Sequence, residues 1–299
     1  DPAIVEAGYQ KTVAEFKNGT AVGPFRTLED VAAELGCAAD DLCLVPRETI
    51  QQTHFTDNGE VQKQRNIDDA SHGGQNLTIS MGETYVPVPV SHLGLWHSIL
   101  RRIFGDAFAM LLFGTDFEGW YKQHAVRPDQ FLFVVLVIFN PLTQTIEFAF
   151  SVAEPFGGRA APLCCGRVLR LLTFSAARLF GIAAADYVDD VNAVEPSQIA
   201  PLGLVCWKQF VGEICGFRSE RLKEFIGNKG TVQGLLCDVS TSEFLTSLSK
   251  ARALSLTQLI DSAQRSAELP PFAARKVANK LASANSAMFG KIGRAISKP

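Results

Sequence analysis

Two adjacent carboxylates, Asp189 and Asp190, stand inside a mostly apolar run from Ile182 to Val194. The pattern predicts strand, turn, strand, with the acid pair at the turn. Carboxylates held in apolar surroundings without a partner cost on the order of several kcal/mol each. A divalent cation is the simplest compensation, and paired carboxylates are the usual ligands of Mg²⁺. A third acid, Asp116, closes the short apolar strand Leu111–Thr115. Carboxylates that converge from separate strands can hold two Mg²⁺ ions roughly 4 Å apart, the arrangement that two-metal nucleotidyl transfer needs. In that chemistry one ion activates a hydroxyl, and the other neutralises a triphosphate and its leaving group.

No other constellation competes. His54, His72, His92, His97 and His124 are scattered, without the spacing of a zinc site. The seven cysteines include no ligand-like pair, so reduced thiols are expected, with Cys164 and Cys165 packed in a helix. Asp68-Asp69 could suggest a second metal site, with a structural role as the preferred reading. Asn18 and Asn76 open glycosylation sequons by pattern only.

The elements that must position the acids follow from periodicity. Thr27 to Asp30 forms a capping box for a helix ending at Gly36, and Ser91–Arg102 predicts another helix. Val61 to Asn76 begins as a polar strand and ends in a Gly/Asn turn. Phe131–Phe139 and Thr145–Val152 are expected strands. In the second, Ile146, Phe148, Phe150 and Val152 alternate with Glu147, Ala149 and Ser151, as in a half-buried strand. Pro162–Phe180 is an expected apolar helix carrying Arg167 and Arg170, and Val232–Val239 a last strand. From Thr241 the period turns helical: Val277, Leu281, Ala284, Met288 and Ile292 recur on one face, with Lys276, Lys280, Lys291, Arg294 and Lys298 largely on others.

Composition sets the class. Apolar residues at 47% and charged residues at 20% describe a soluble globular chain long enough for two or more lobes. The longest apolar run, Phe131–Phe139, is too short to cross a bilayer, so no membrane partner is expected. No signal peptide is evident, which with reduced thiols predicts an intracellular, non-secreted protein in the cytoplasm or nucleus. The start at Asp1 suggests a chain cut from a longer one. Net charge is −3, yet Lys250–Pro299 carries +7. A basic C-terminal lobe beside an acidic body suits phosphate binding at one end and metal binding at another.

Six ordered segments resemble the motifs of reverse transcriptases. Thr115-Asp-Phe-Glu-Gly-Trp-Tyr-Lys-Gln123 is similar to motif A, an aspartate followed five residues later by an aromatic. Glu154-Pro-Phe-Gly-Gly-Arg-Ala-Ala-Pro162 is similar to motif B, and Tyr187-Val-Asp-Asp190 to motif C. Gly216 to Lys223 resembles motif D, and Val232 to Asp238 resembles motif E, the primer grip. Gln62 to Asp69, with Asn76, resembles the fingers motif. The likeness covers about 50–299. The Pro-Phe-Gly form and the helical tail are most similar to retrotransposon enzymes, DIRS-like or of a related protist lineage.

The resemblance implies an α+β polymerase right hand of fingers, palm and thumb, with an antiparallel palm sheet packed on helices. Residues 1–105 would form the N-terminal extension and fingers. Residues 106–240 would form the palm, with part of the fingers at about 124–152, and 241–299 a helical thumb. It implies an RNA-directed DNA polymerase that extends a DNA primer on an RNA or DNA template with dNTPs and two Mg²⁺ ions, Mn²⁺ substituting. Asp116, Asp189 and Asp190 would hold the metals, helped by the backbone carbonyl of Phe117. Lys223 would protonate pyrophosphate, with Lys229 a competing candidate. Lys63 and Arg65 would clamp the triphosphate. Tyr121 would exclude a ribose 2′-hydroxyl, and Phe156 and Gly157 would press on the nascent base pair. Gln233 and Gly234 would hold the primer end. An RNA-templated RNA polymerase is disfavoured by Tyr121 and by the absence of Gly-Asp-Asp. The alternative is a decayed or domesticated copy that binds nucleic acid without catalysis. Asp186 and the doubled glycine at Gly157-Gly158 depart from the family pattern.

Overall fold

Thr27 starts a helix as its sequence requires. Its hydroxyl accepts from the Asp30 amide at 3.1 Å, the Asp30 carboxylate accepts from the Thr27 amide at 3.1 Å, and Gly36 ends the helix with φ at 69°. A computed structural model describes residues 1–56, 59–266 and 268–284. The chain is α+β. In order it runs α1 (Pro2–Lys17), β1 (Ala21–Phe25), α2 (Leu28–Leu35), β2 (Leu44–Thr56), β3 (Gly59–Asp68), the single turn α3 (Gln75–Thr78) and α4 (Val90–Phe104). Then come β4 (Met110–Asp116), β5 (Val135–Asn140), β6 (Thr145–Ser151), α5 (Ala161–Phe180), β7 (Ala184–Tyr187), β8 (Asp190–Pro196) and α6 (Ala200–Lys208). The described residues continue through β9 (Phe225–Gly227), β10 (Lys229–Val232), β11 (Leu235–Asp238), β12 (Leu245–Leu248), α7 (Lys250–Arg265) and α8 (Pro271–Ala284). No described helix is long and apolar enough to cross a membrane. None of the seven cysteines is in a disulfide.

The contacts divide the chain into two compact units, residues 1–54, 61–86 and 119–168, and residues 55–60, 87–118 and 169–299.

The first unit holds a five-stranded sheet in the order β1-β6-β5-β2-β3, with a parallel β2–β5 pair in an otherwise antiparallel β1-β6-β5 set. Helices cover both faces. Tyr9, Val13 and Phe16 of α1 pack on Val45, Leu136, Ile138 and Ala149. Val31 and Leu35 of α2 pack with Val135, Phe148 and Phe150. This corrects the half-buried reading of Thr145–Val152. Ala149, Phe150 and Ser151 are all buried, whereas Ile146 at the far end is exposed. Glu147 is polar for a reason: it accepts from the Tyr9 hydroxyl at 2.9 Å and from Asn140 Nδ2 at 2.7 Å. The strand expected at Phe131–Phe139 also shortens. Pro128–Phe133 forms a 3₁₀ turn, which proline can initiate, and only β5 pairs as a strand.

Arg47 of β2 has a side chain only 3% exposed. Its Nε donates to Asp68 Oδ1 at 2.7 Å, and its terminal nitrogens donate to Asp68 Oδ2 at 3.2 Å and Glu15 Oε2 at 2.9 Å. Asp68 therefore serves structure.

The second unit holds a four-stranded antiparallel sheet, β7-β8-β4-β9, and a three-stranded one, β10-β11-β12. Val90 and Leu93 of α4 share a core with Met110, Leu112, Ala185, Val194, Val232, Leu235 and Cys237. Trp207 of α6 anchors to β4 by donating its Nε1 hydrogen to Thr115 Oγ1 at 2.9 Å. Asp186, the acid that departs from the family pattern, is fully buried and pairs with Arg170 of α5.

Two further expectations are corrected. Val232–Val239 is not one strand but β10 and β11 joined at Gln233-Gly234, where φ is 51° and 74°. The helical period read from Thr241 begins only at Lys250, because Leu245–Leu248 pairs with β11 as β12. Met288, Lys291, Ile292, Arg294 and Lys298 lie outside the described residues.

Candidate functional site

β4 and β8 lie side by side, with Asp116 opposite Asp190 at the end of the register. β7 returns against β8, and Tyr187 opposite Asp190 closes the hairpin over Val188 and Asp189. Val188 takes a φ of 59°, unusual for a β-branched residue and therefore strained. That turn projects Asp189 beside Asp190. One carboxylate oxygen from each of Asp116, Asp189 and Asp190 lies within 4.8 Å of the others.

Segments around Asp116 fix its strand end. The Phe117 amide donates to Asp189 O at 3.1 Å, and the Glu220 amide to Asp116 O at 2.8 Å. The Phe117 ring is buried, edge-on to Trp207 and Phe217. Asp116 is 3% exposed. One of its oxygens, Oδ2, pairs with Lys223 Nζ, and the other, Oδ1, is buried without a hydrogen bond. Lys229 pairs instead with Asp238 at 2.8 Å, so the lysine at the acid cluster is Lys223. Burial, and then the neighbouring charge of Asp189, push the Asp190 carboxyl up to about 6.

An oxygen-only donor set, an orphaned buried carboxylate oxygen and mutual repulsion between acids fit a hard divalent cation such as Mg²⁺ or Mn²⁺. The sign of the pH effect follows. The metal-free fold holds the Asp190 proton more tightly than an unfolded chain does. The contribution of Asp190 to the stability of the metal-free protein therefore falls as pH rises from about 4 to about 6. A cation competes with that proton. Mn²⁺ affinity, measured by calorimetry, is expected to weaken below pH 6 by up to about tenfold per pH unit, and Asp190→Asn to flatten the dependence.

The same unit holds the turn Gln233-Gly234. Gln233 Nε2 donates to Val88 O at 2.6 Å, and Arg252 donates to Gly234 O at 2.8 Å and Gln233 O at 3.4 Å. Gly234 takes a φ of 74°, a conformation that favours glycine, and a Cβ there would also displace the end of the Arg252 side chain.

The other candidates belong to the first unit. The Tyr121 ring meets Phe156 edge-on, centroids 5.7 Å apart, and the Arg65 guanidinium carbon lies 5.9 Å from the Phe156 centroid. Gly157, at φ 142°, lies so close to the Asp68 carbonyl that any Cβ would overlap it. The Phe156 carbonyl accepts from the Asp68 amide at 2.9 Å, and Asn76 ties the loop by donating to Gly157 O at 3.1 Å and accepting from the Arg159 amide at 2.7 Å. Lys63 is exposed on the same strand as Arg65.

Sequence reasoning missed Lys11. It lies on α1, where its Nζ donates to Gln64 O, and burial and then the charges of Lys63 and Arg65 pull its amine below the usual lysine range. No motif signals it; only the packing of α1 on the sheet brings it there. The basic cluster in this unit is thus Lys11, Lys63 and Arg65.

No protein-family profile matches the chain by sequence, and no curated protein does. Among solved structures the chain is similar to a foamy viral protease–reverse transcriptase in complex with double-stranded DNA, with a TM-score of 0.60 at 10% identity. The match covers 93% of this chain and 40% of that one. The fold is therefore like that of a reverse transcriptase, and the chain spans about two-fifths of that relative's length.

Proposed function

We propose that this chain is the RNA-directed DNA polymerase core of a retroelement, extending a primer 3′-hydroxyl with dNTPs on an RNA or DNA template. The observation that carries the reading is the convergence of Asp116, Asp189 and Asp190 from two strands and a strained turn, with Lys223 against Asp116. In this reading residues 106–240 act as palm, 1–105 with about 124–152 as N-terminal extension and fingers, and 241–299 as thumb. The Pro155-Phe156-Gly157 form supports a retrotransposon origin within the family, DIRS-like or of a related protist lineage. The setting is intracellular.

Asp116, Asp189, Asp190 and the Phe117 carbonyl would hold two Mg²⁺ ions, with Mn²⁺ as substitute. When bound, these ions lower the pKa of the primer hydroxyl and neutralise the triphosphate and leaving pyrophosphate. Lys223 gives its proton to the departing pyrophosphate. Lys63 and Arg65 grip the triphosphate, by point charge and by fork. Lys11 adds a third cation. Phe156 and Gly157 lie against the nascent base pair, and the Gln233-Gly234 turn meets the primer end. Basic residues of 250–284 track the duplex backbone without reading sequence.

Tyr121 specifies deoxyribose, its ring standing where a 2′-hydroxyl would project. Its edge-on contact with Phe156 supports that role by fixing the ring. Primer extension with single dNTPs and rNTPs tests the reading. The protein is expected to prefer dNTPs on a primed RNA template, and Tyr121→Ala to reduce the preference by on the order of 100-fold. Unchanged discrimination in that variant would overturn the gate. Duplex binding without incorporation would instead favour a decayed copy.

A further inference from the structure

The second unit contains an unbroken run of polar contacts from α5 to α7 that passes through the acid hairpin. Arg170 of α5 donates to both carboxylate oxygens of Asp186, at 2.8 and 3.0 Å. Asp186 stands three residues before Asp189 and is 0% exposed. Its backbone carbonyl accepts from the Val88 amide at 3.0 Å. The carbonyl of that same Val88 accepts from Gln233 Nε2 at 2.6 Å. The carbonyls of Gln233 and Gly234 accept in turn from Arg252 of α7. Val88 is the junction, since its amide holds the hairpin and its carbonyl holds the turn. Val88 also packs against the core shared by α4, β4, β7 and β11, so it has little room to move alone.

We propose that Gln233 is a positioning residue, which links the Gln233-Gly234 turn to the Asp189-Asp190 hairpin through the Val88 peptide. This rests on the functional reading above and changes one role within it. The Gln233 amide serves its own chain, so its contribution at a primer end is made through the turn's backbone position. Occupancy of the turn by a primed duplex and occupancy of the acid cluster by metal are then coupled, and coupling between two binding events is reciprocal. The bidentate pair of buried Asp186 with half-exposed Arg170 stiffens the far side of the hairpin, so that a shift at Val88 is carried to Asp189 rather than absorbed.

Hydrogen exchange on the unaltered full chain, with and without Mn²⁺, tests this together with Mn²⁺ titrations of variants. Mn²⁺ is expected to slow exchange at the Val88 amide and at the amides of residues 233–235. Gln233→Met keeps the side-chain length and removes the donor. It is expected to weaken Mn²⁺ binding about three- to tenfold, the scale of one lost hydrogen bond. Combined with Arg170→Met, its effect on affinity should depart from additivity by threefold or more. A purely structural role would lower the melting temperature and leave Mn²⁺ affinity unchanged. The exchange measurement needs no variant and stands even where Gln233→Met does not fold. A wild-type chain that binds no Mn²⁺ would contradict the functional reading. A chain that binds Mn²⁺ with exchange at 88 and 233–235 unaltered, or with Gln233→Met at wild-type affinity, would overturn the coupling alone.

Discussion

Asp189→Asn is expected to reduce Mg²⁺-dependent nucleotide addition by at least about 10³-fold, several kcal/mol of transition-state stabilisation. The substitution keeps the side-chain shape and removes one negative charge. Asp189 sits on a two-residue turn held by the Tyr187–Asp190 pair, and its carbonyl accepts from the Phe117 amide, so the backbone should persist. The change therefore falls on the charge of the cluster rather than on the fold. A second consequence checks the cause. The Asp189 charge helps raise the Asp190 carboxyl, so its removal should move the Asp190 titration, followed by NMR, back toward the ordinary carboxylate range. Circular dichroism and melting temperature should stay close to wild type. Rates of primer extension, with duplex affinity measured alongside, check the prediction. Lost turnover with retained duplex binding is the expected pattern.

Arg47→Leu is expected to lower stability by about 3–5 kcal/mol, whatever the chain's activity. Arg47 has a 3% exposed side chain, and it faces Asp68, 1% exposed, and Glu15. Removing the guanidinium leaves two carboxylates with one nearby cation, Lys122, at 3.2 Å from Glu15 and 4.0 Å from Asp68. The leucine fills part of the volume but satisfies neither acid. Urea denaturation with an unchanged m-value and a lowered midpoint would report the loss as stability. The Asp68 amide also holds the Phe156 carbonyl, and the Asp68 carbonyl lies against Gly157. The variant is therefore expected to disturb the Phe156 loop as well as the sheet.

The acids and the strands that bear them were legible in the sequence because each signal was local. An apolar strand ending in Asp116 and an apolar hairpin tipped by Asp189-Asp190 need only periodicity and burial cost to be read. The capping box at Thr27 was local in the same way. What escaped depends on partners distant in sequence. Ile146 to Val152 alternates in sequence, but α1 and α2 cover both faces of the sheet, so the alternation does not mark an exposed side. Leu245–Leu248 looks helical beside the tail that follows and becomes a strand because β11 offers an edge. The break at Gln233-Gly234 hides inside an apolar run, and its positive φ at Gln233 is carried by bonds to Val88 and Arg252. Lys11 joins Lys63 and Arg65 only through tertiary packing. Asp186 stood out in sequence as an unexpected acid, but its explanation, Arg170, lies a helix away.

Whether Asp116, Asp189 and Asp190 form a polymerase centre is read from single-nucleotide extension of a DNA primer on an RNA template by the full chain, with Mg²⁺ as the titrated variable. The expected result is no addition without a divalent cation, a rate that rises with Mg²⁺, and loss of the signal in Asp189→Asn. No extension at any Mg²⁺ or Mn²⁺ concentration, under conditions where a known polymerase extends the same primer, would contradict it, as would a rate indifferent to the metal.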